Sequence, residues 1–305
     1  MNGQLLTICD EYAEVQIAPQ WGAALTRYDY DDLTAGARHS ILRPWDGHFD
    51  NAHSVFSLAS NVLVPWCNRI GSSGFEYDHV FYPMGPNLDG EKFPIHGDGF
   101  LAAWEVTHRD ASSAELHLQS RSCAPYAYEA RLQYSLRQGA LQMALSVQNQ
   151  AEFALPYGIG FHPWFVRSTG DFLQFESSHY WTEDGEYLPL ERRPCVTGDG
   201  VHFNSPHALP EKWINTAFEG WDRKAILSMP NAGLEVHIRT SETLGNLMVY
   251  SPGGAADFVC LEPMSHVPNA HCLPDLSAGA RLTGLEPGAC LQGAVWIHPG
   301  PTKLP

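Results

Sequence analysis

The chain has 305 residues, of which 44% are hydrophobic and 17% charged, and its formal net charge is −16. This composition is typical of a folded globular protein, and the negative charge repels phosphate backbones and anionic lipid surfaces. We therefore expect no nucleic-acid partner, no membrane partner and an uncharged ligand.

Cysteine usage and hydropathy predict the same cellular location. The seven cysteines are scattered and never spaced as CxxC, which is typical of thiols in a reducing compartment. The N-terminus lacks the pattern of a secretory signal, and no uninterrupted apolar run reaches the ~18 residues of a membrane-spanning helix. We expect a cytoplasmic protein.

Alternating hydrophobicity predicts β-strands along the chain. Apolar residues recur at every second position in the windows 114–118, 128–136, 141–147 and 234–238. A short Gly-containing connection joins the second window to the third, and another joins a run ending at Met229 to the fourth, so both pairs are predicted hairpins. Residues 37–54 and 183–212 are predicted to be long loops.

No window of twelve or more residues carries the apolar face of an amphipathic helix, and 27 glycines and 22 prolines interrupt most candidates. No low-complexity linker divides the chain. These observations predict an all-β fold, an antiparallel sandwich or barrel with few short helices, in a single domain spanning residues 1–305.

The sequence contains 15 histidines, which raises the question of a metal site. However, it has no HExxH motif, no Cys/His finger and no carboxylate-rich calcium loop. It also lacks the phosphate-binding GxxxxGK[ST] loop, a GxGxxG dinucleotide motif and a GxSxG nucleophile elbow. We expect neither a metal nor a cofactor.

Several polar residues lie in apolar segments, where a charge is costly unless it has a partner or a task. These segments are 64–70 with Asn68 and Arg69, 93–100 with His96, 157–165 with His162, and 258–264 with Glu262. A fifth segment, 215–222, places Asp222 beside Trp221, a combination that suits the apolar face and hydroxyl rim of a sugar. Each of these residues, taken alone, also fits a purely structural role.

Taken in order, five stretches resemble the aldose 1-epimerase (galactose mutarotase-like) family. They are Asn68-Arg69-Ile70, His96-Gly97, Gly160-Phe161-His162-Pro163-Trp164-Phe165, Phe218-Glu219-Gly220-Trp221-Asp222 and Leu261-Glu262-Pro263-Met264. The resemblance implies a large antiparallel β-sandwich of the galactose mutarotase type. It also implies a mutarotase that interconverts the α and β anomers of an unphosphorylated hexose.

The resemblance further implies roles for individual residues. His162 would be the acid that protonates the ring oxygen, and Glu262 the base that takes the proton of the C1 hydroxyl. Three residues would bind hydroxyl groups, namely Arg69, His96 and Asp222, and Asn68 would orient Arg69. Many relatives have Tyr where this chain has Trp164.

Ring opening of a hemiacetal needs one proton donor and one proton acceptor, so an acid–base pair suffices without a metal. The ordinary pKa values of glutamate and histidine make a carboxylate–imidazolium pair accessible near neutrality. Two alternatives stay open: a glycoside hydrolase that pairs Glu262 with Asp222 or another carboxylate, and a sugar-binding protein without turnover. The expected partner is a small sugar, bound by a monomer or homodimer.

Overall fold

A computed structural model describes residues 4–196 and 201–302. These residues form 24 β-strands and two short 3₁₀ helices, Ala52–Ser57 and Pro230–Ala232. No helix in the described ranges has the length and hydropathy to cross a membrane. The predicted all-β fold class is confirmed.

The first twelve strands are β1 (Leu6–Cys9), β2 (Ala13–Ala18), β3 (Ala24–Asp32), β4 (Ala37–Ser40), β5 (Ser60–Leu63), β6 (Gly74–Tyr77), β7 (Val80–Pro83), β8 (Glu105–Arg109), β9 (Ser113–Ser120), β10 (Tyr128–Arg137), β11 (Ala140–Asn149) and β12 (Leu155–Tyr157). The remaining strands are β13 (Gly160–Val166), β14 (Phe172–Gln174), β15 (His179–Glu183), β16 (Pro189–Pro194), β17 (His207–Ala208), β18 (Ile214–Glu219), β19 (Lys224–Met229), β20 (Leu234–Thr240), β21 (Asn246–Ser251), β22 (Phe258–Met264), β23 (Thr283–Leu285) and β24 (Cys290–Pro301).

Two large antiparallel sheets make up most of the structure. The first has eleven strands in the order β1-β2-β3-β5-β13-β22-β21-β18-β15-β16, with β4 added beside β3. The second has nine strands in the order β17-β14-β19-β20-β24-β11-β10-β9-β8. Two small ribbons, β6-β7 and β12-β23, complete the described part of the chain.

The two large sheets pack against each other through a common core. One hydrophobic cluster contains inward-facing residues of both sheets. The buried hydroxyl of Tyr28 on β3 donates to the carbonyl oxygen of Gly139 at 2.6 Å, and the hydroxyl of Tyr134 on β10 donates to that of Ala23 at 2.7 Å. These bonds cross between the layers, so the architecture is the sandwich that the resemblance implies.

Both predicted hairpins are confirmed. Strands β10 and β11 alternate buried and accessible residues along their full length. Gln138 and Gly139 connect them with φ angles of 52° and 77°, as a two-residue turn with a left-handed backbone requires. In the second hairpin, β19 and β20 are joined through the 3₁₀ helix Pro230–Ala232 and Gly233, which ends it at a φ of 66°.

The two predicted loops are wrong in part. Strand β4 lies within 37–54, and β16 and β17 lie within 183–212, where residues 197–200 fall outside the described ranges. Strands β4 and β16 bury none of their residues fully. They therefore lack the apolar alternation by which a half-buried strand is recognised.

Strands β13 and β22 lie side by side in the middle of the eleven-stranded sheet, and both are buried on both faces. Phe161, Phe165, Val259 and Leu261 join the hydrophobic core. The alternate positions point to the opposite face of the sheet. A strand buried on both faces is almost continuously apolar, so a polar residue within it stands out.

Candidate active site

His162 and Glu262 meet across strands β13 and β22. The pairing of Gly160 with Met264 and of Trp164 with Cys260 sets a register that puts His162 opposite Glu262. The imidazole Nε2 lies 3.3 Å from the carboxyl Oε1. Sequence analysis predicted both residues, and the structure brings their side chains into direct contact.

This pair is almost completely buried, with 6% of His162 and 2% of Glu262 exposed. Three nearby polar atoms are buried and have no hydrogen-bond partner in the described part of the chain: His162 Nδ1, Glu262 Oε2 and Trp164 Nε1. A buried polar atom without a partner is costly to the fold. A cluster of such atoms marks a place where a ligand or water supplies the missing bonds.

Burial shifts the pKa of each member of the pair toward its uncharged form. It raises the pKa of Glu262 to about 8, against an opposing effect of the Arg69 charge. It lowers the pKa of His162 to about 3, and the Arg43 guanidinium adds to this effect. The ligand-free pair is therefore uncharged near neutrality, with its proton on Glu262. The carboxylate–imidazolium pair expected from ordinary pKa values is not the resting form.

His96 lies beside the pair, with its ring centroid 5.5 Å from that of His162. Its Nδ1 accepts a hydrogen bond from the backbone N–H of Asn68 at 3.0 Å, so the neutral ring carries its proton on Nε2. Burial and the neighbouring His162 hold its pKa well below the usual value. His96 therefore presents a neutral N–H donor.

A tight backbone turn fixes the direction of the His96 ring. Both His96 and Gly97 have positive φ angles, 60° and 73°. A Cβ atom on Gly97 would approach the carbonyl oxygen of Val64 to 2.0 Å, so only glycine fits there. Close packing against the Val64 backbone therefore requires glycine at position 97.

Arg69 reaches the same region from the segment after β5. Asn68 Oδ1 accepts the backbone N–H of Arg69 at 2.8 Å. The guanidinium Nη2 donates to Glu91 Oε2 at 3.2 Å and lies 5.5 Å from the ring centroid of Tyr187. Arg69 is therefore held by a carboxylate and an aromatic face.

These side chains line a cleft of about 300 Å³. Its lining also includes residues that the sequence did not single out, namely Phe56, Glu91, Ile95, Tyr187, Trp213, Asn215 and Tyr250. A concave site with apolar walls and a few convergent polar groups is typical of a small-molecule pocket.

A histidine, a cysteine and a carboxylate lie close enough together to raise the question of a metal. The donor atoms of His162, Cys260 and Glu262 all lie within 4.8 Å of one another, on two neighbouring strands. Metal binding needs the thiolate and the carboxylate. Burial raises the pKa of the Cys260 thiol well above its usual value and that of Glu262 to about 8, so a metal would have to displace a proton from each donor. We assign no metal to these residues.

A larger groove of about 1110 Å³ lies on the outer face of the nine-stranded sheet. It contains another histidine–glutamate pair, with His117 Nε2 3.1 Å from Glu129 Oε1. Hydrogen bonds from Arg131 keep the pKa of Glu129 below its usual value, so this carboxylate is charged and already engaged. The groove has the larger volume and one buried atom without a hydrogen bond, His117 Nε2, whereas the cleft has three such atoms at His162, Trp164 and Glu262.

Comparison with known proteins agrees with the geometry. The family profile described as aldose 1-epimerase matches residues 4–298 of the chain. The chain belongs to the aldose 1-epimerase family. It is therefore an enzyme of the isomerase class that acts on carbohydrates.

Relatives in this family include two Escherichia coli K12 proteins. YphB, whose function is uncharacterized, is 33% identical over 74% of the chain and 78% of its own length. YihR, also uncharacterized, is 31% identical over 74% of each.

Solved structures share the fold of this aldose 1-epimerase family member. A crystal structure of a candidate aldose 1-epimerase from Escherichia coli K12 has a TM-score of 0.88 and 27% identity, covering 98% of the chain and 99% of its own. A galactose mutarotase-like protein from Clostridium acetobutylicum has a TM-score of 0.83 at 17% identity, covering 98% and 95%. At that identity the second likeness shows the fold alone.

Asp222 does not take part in this cleft. Its Oδ1 accepts the backbone N–H of Lys224 at 3.2 Å, in the turn that follows β18. The adjacent Trp221 is 2% exposed and its indole N–H donates to the Lys224 carbonyl oxygen. The prediction that Asp222 binds a sugar is at odds with this position, because the Trp-Asp pair is a core residue followed by a turn residue.

Asn215, at the other end of β18, does line the cleft. Its amide Nδ2 donates to Glu183 Oε2 at 2.5 Å. Asn215 stood in the same sequence segment as Asp222, but a polar residue near a strand start carries no specific signal. Tyr187 carried a weak one, since a large aromatic residue in a predicted loop is a candidate for ligand contact. Trp213 lies just outside the predicted loops and carried none.

Proposed function

We propose that this chain is a mutarotase that interconverts the α and β anomers of an unphosphorylated hexose, with His162 and Glu262 as its acid and base. One observation carries the proposal. A histidine and a glutamate lie 3.3 Å apart at a sugar-sized cleft, both buried, and each retains a polar atom without a partner.

The proposed reaction requires two proton transfers. The Glu262 carboxylate takes the proton of the C1 hydroxyl, the C1–O bond gains double-bond character, and the bond from C1 to the ring oxygen breaks. The His162 imidazolium protonates the departing ring oxygen. After rotation about the C1–C2 bond, His162 takes that proton back and Glu262 returns its own to the aldehyde oxygen, which closes the ring on the other face.

The number of protons that the pair carries in each state is consistent with this cycle. The uncharged pair of the ligand-free protein is the form that the pair has once the ring is open. Before opening, the pair must carry opposite charges, so the bound sugar has to favour the carboxylate. The Arg69 charge lowers the pKa of Glu262, and a sugar hydroxyl donating to the unpartnered Oε2 would lower it further.

We further propose that Arg69 and the Nε2–H of His96 bind sugar hydroxyl groups, with Asn68 as a positioning residue for both. The charge of Arg69 is paired with Glu91, and the Arg43 guanidinium lies 4.2 Å from the ring centroid of Trp164. Neither arginine is free to hold a phosphate, which supports a neutral sugar. Asp222 is not part of this proposed set.

The glycoside hydrolase alternative needs a second carboxylate beside Glu262, either Asp222 or another one. Asp222 accepts a hydrogen bond in the turn after β18 and does not line the cleft. Glu91 lines the cleft, but it accepts a hydrogen bond from the Arg69 guanidinium, so this carboxylate is already paired. No observation favours hydrolysis over mutarotation.

Two substitutions test the proposal. Glu262→Gln and His162→Asn should each lower the rate of anomer interconversion of glucose and galactose by roughly 10²–10⁴-fold, measured by polarimetry or exchange NMR. Asp222→Asn and His117→Asn make the same chemical changes outside the cleft and should stay within about twofold of the parent. If both cleft variants also stayed within twofold, the acid–base assignment would be wrong.

The same assay separates an enzyme from a sugar-binding protein. A binding protein would show affinity for a hexose while the anomers interconvert no faster than in buffer. We also propose a cytoplasmic location and a monomer or homodimer. No two cysteines form a disulfide in the described ranges, and the net charge of −16 opposes nucleic acid and anionic membranes.

A further inference from the structure

Arg69 stands in a segment outside the strands, residues 67–71, here called the arginine turn. It follows β5, which ends at Leu63, and precedes β6. Four of its five backbone N–H groups, all except that of Ile70, donate to side chains. The N–H of Ile70 donates to the carbonyl oxygen of Pro94 at 3.1 Å. Backbone groups of a buried turn need such partners, so the position of Arg69 depends on the side chains that supply them.

Two histidine rings accept neighbouring amides of the arginine turn. His266 Nε2 accepts the N–H of Cys67 at 3.0 Å, next to the bond from the Asn68 N–H to His96 Nδ1. The Nδ1 of His266 lies 2.7 Å from the carbonyl oxygen of Val267, so the neutral ring carries its proton on Nδ1 and keeps Nε2 as an acceptor. Burial lowers the pKa of His266 to about 4, so the ring is neutral near pH 7.

Asn269 binds the other end of the arginine turn. Its side-chain Oδ1 accepts the N–H of Gly71 at 2.7 Å, and its backbone N–H donates to the carbonyl oxygen of Arg69 at 3.1 Å. Asn269 is buried and has a φ of 57°, a left-handed conformation that asparagine tolerates better than most residues. The turn is thus bonded at both ends to one short segment that contains His266 and Asn269.

This short segment continues the strand that carries the proposed base. Strand β22 contains Glu262 and ends two residues before His266. Between them, Ser265 is bonded to Ile159 twice: its N–H donates to the Ile159 carbonyl oxygen, and its Oγ accepts the Ile159 N–H, each at 2.9 Å. A short series of bonded, buried groups therefore links the backbone of Glu262 to that of Arg69.

Both Glu262 and Arg69 line the cleft, whereas His266 and Asn269 lie outside its lining. We propose that His266 and Asn269 are positioning residues for mutarotation, which hold the arginine turn in register with the sugar at Glu262. The inference rests on the proposed function. Because neither side chain reaches the cleft, each acts on the sugar through the arginine turn.

Two substitutions remove the acceptors without changing the cleft lining. His266→Leu leaves the Cys67 N–H without its acceptor, and Asn269→Gly removes Oδ1 while a positive φ stays accessible. We expect each variant to raise KM for glucose and galactose about fivefold or more, with kcat changed less than about threefold, because Arg69 would bind ground state and transition state alike. His266→Gln offers an amide oxygen as the acceptor and should recover most of the loss. Anomer exchange NMR at varied sugar concentration gives both constants.

A double-mutant cycle shows whether the effect passes through Arg69. If it does, adding His266→Leu to Arg69→Ala should lower kcat/KM less than about twofold further, because the contact that depends on the turn is already lost. Tyr134→Phe is the matched control. It removes a different buried hydrogen bond, from the Tyr134 hydroxyl to the Ala23 carbonyl oxygen, and should change kcat/KM less than about twofold in either background.

The alkaline side of the pH profile gives a readout that a general loss of structure would not move. Burial raises the pKa of Glu262, and the Arg69 charge opposes this effect. A displaced Arg69 opposes it less, so the decline in kcat/KM near pH 8 should move to higher pH in His266→Leu and Asn269→Gly. Neither substitution replaces the other ionisable groups around this carboxyl, which include His162, Cys67, Cys260 and Tyr250.

The outcomes separate this inference from the proposed function. Unchanged KM in both His266→Leu and Asn269→Gly, or losses that multiply fully with Arg69→Ala, would overturn the inference and leave mutarotation standing. If His266→Leu does not fold in a urea titration, Asn269→Gly carries the same cycle. If the parent accelerates no sugar, the proposed function fails, and the Kd for glucose and galactose in the same cycle, measured by calorimetry, decides whether the two side chains support sugar binding.

Discussion

The guanidinium of Arg69 is fixed by the carboxylate of Glu91, with Nη2 3.2 Å from Oε2 and side-chain exposures of 17% and 22%. This half-buried ion pair holds the arginine over the Tyr187 ring and beside the cleft. We therefore expect Glu91 to act as a positioning residue, whose effect would reach the sugar through Arg69.

Glu91→Gln should release Arg69 and weaken its contact with sugar hydroxyl groups. Because that contact is present in both the ground state and the transition state, KM should rise about five- to tenfold while kcat changes less than about threefold. Steady-state measurement of anomer interconversion gives both constants. Glu129→Gln is the matched control, since it breaks a glutamate–arginine pair in the outer groove. A fall in kcat at constant KM would contradict the positioning role.

His96 performs two tasks that substitutions can separate. Its Nδ1 accepts from the Asn68 backbone, and its Nε2–H is available to the ligand. Asparagine can replace the acceptor, so His96→Asn should lower kcat/KM roughly 10- to 100-fold with thermal stability near that of the parent. His96→Ala loses both bonds and should also lower the unfolding free energy by about 1–3 kcal/mol. Equal activity in His96→Asn and the parent would rule out the ligand contact.

The pH dependence of kcat/KM follows from the proton count of the pair. The proposed mechanism needs one proton shared by His162 and Glu262, and this form exists between the lower pKa of about 3 and the upper pKa of about 8. We expect a plateau through neutral pH, with a decline as pH rises through about 8 and another as it falls toward 3. A decline centred on 6.5 would instead indicate a histidine with an ordinary pKa.

Glu262 also makes stability depend on pH. Its pKa is raised from 4.5 to about 8 on folding, so its contribution is fully present below about pH 4.5 and is lost as pH rises through 8. The Glu262→Gln side chain cannot ionise. This variant should therefore have a higher free energy of unfolding than the parent, by about 3–5 kcal/mol at pH 9 and by little at pH 5. Urea titrations at the two pH values measure the difference.

Glu219→Gln is a control for which we expect the opposite change in the free energy of unfolding. Glu219 is also buried but accepts hydrogen bonds from Arg192 and Ser277, and these partners hold its pKa below the usual value. Its contribution is present above its unfolded pKa and is lost as pH falls, so the glutamine variant should be less stable than the parent at pH 7 and above. Destabilisation of both variants at pH 9 would show that burial does not raise the pKa of Glu262.

Two exposed aromatic residues of the cleft, Tyr187 and Trp213, lie where the sequence is least informative. Tyr187 stands in a turn between two edge strands, and its direction depends on a positive φ angle that no residue pattern indicates. Trp213 precedes β18 in a segment without alternation. Which loop residues meet at a cleft is decided by the pairing of β15 with β16 and β18, so neither residue was predicted.

By itself, the sequence predicted many of the strands, both hairpins and the two residues of the proposed acid–base pair. Alternation and turn chemistry act between neighbouring residues, and a histidine or glutamate in an apolar run is conspicuous without coordinates. Only the tertiary structure decided that His162 faces Glu262, that Asp222 turns away, and that burial leaves the resting pair uncharged. Strand register and burial arise from residues distant in the chain, and it is their summed packing that sets the pKa values.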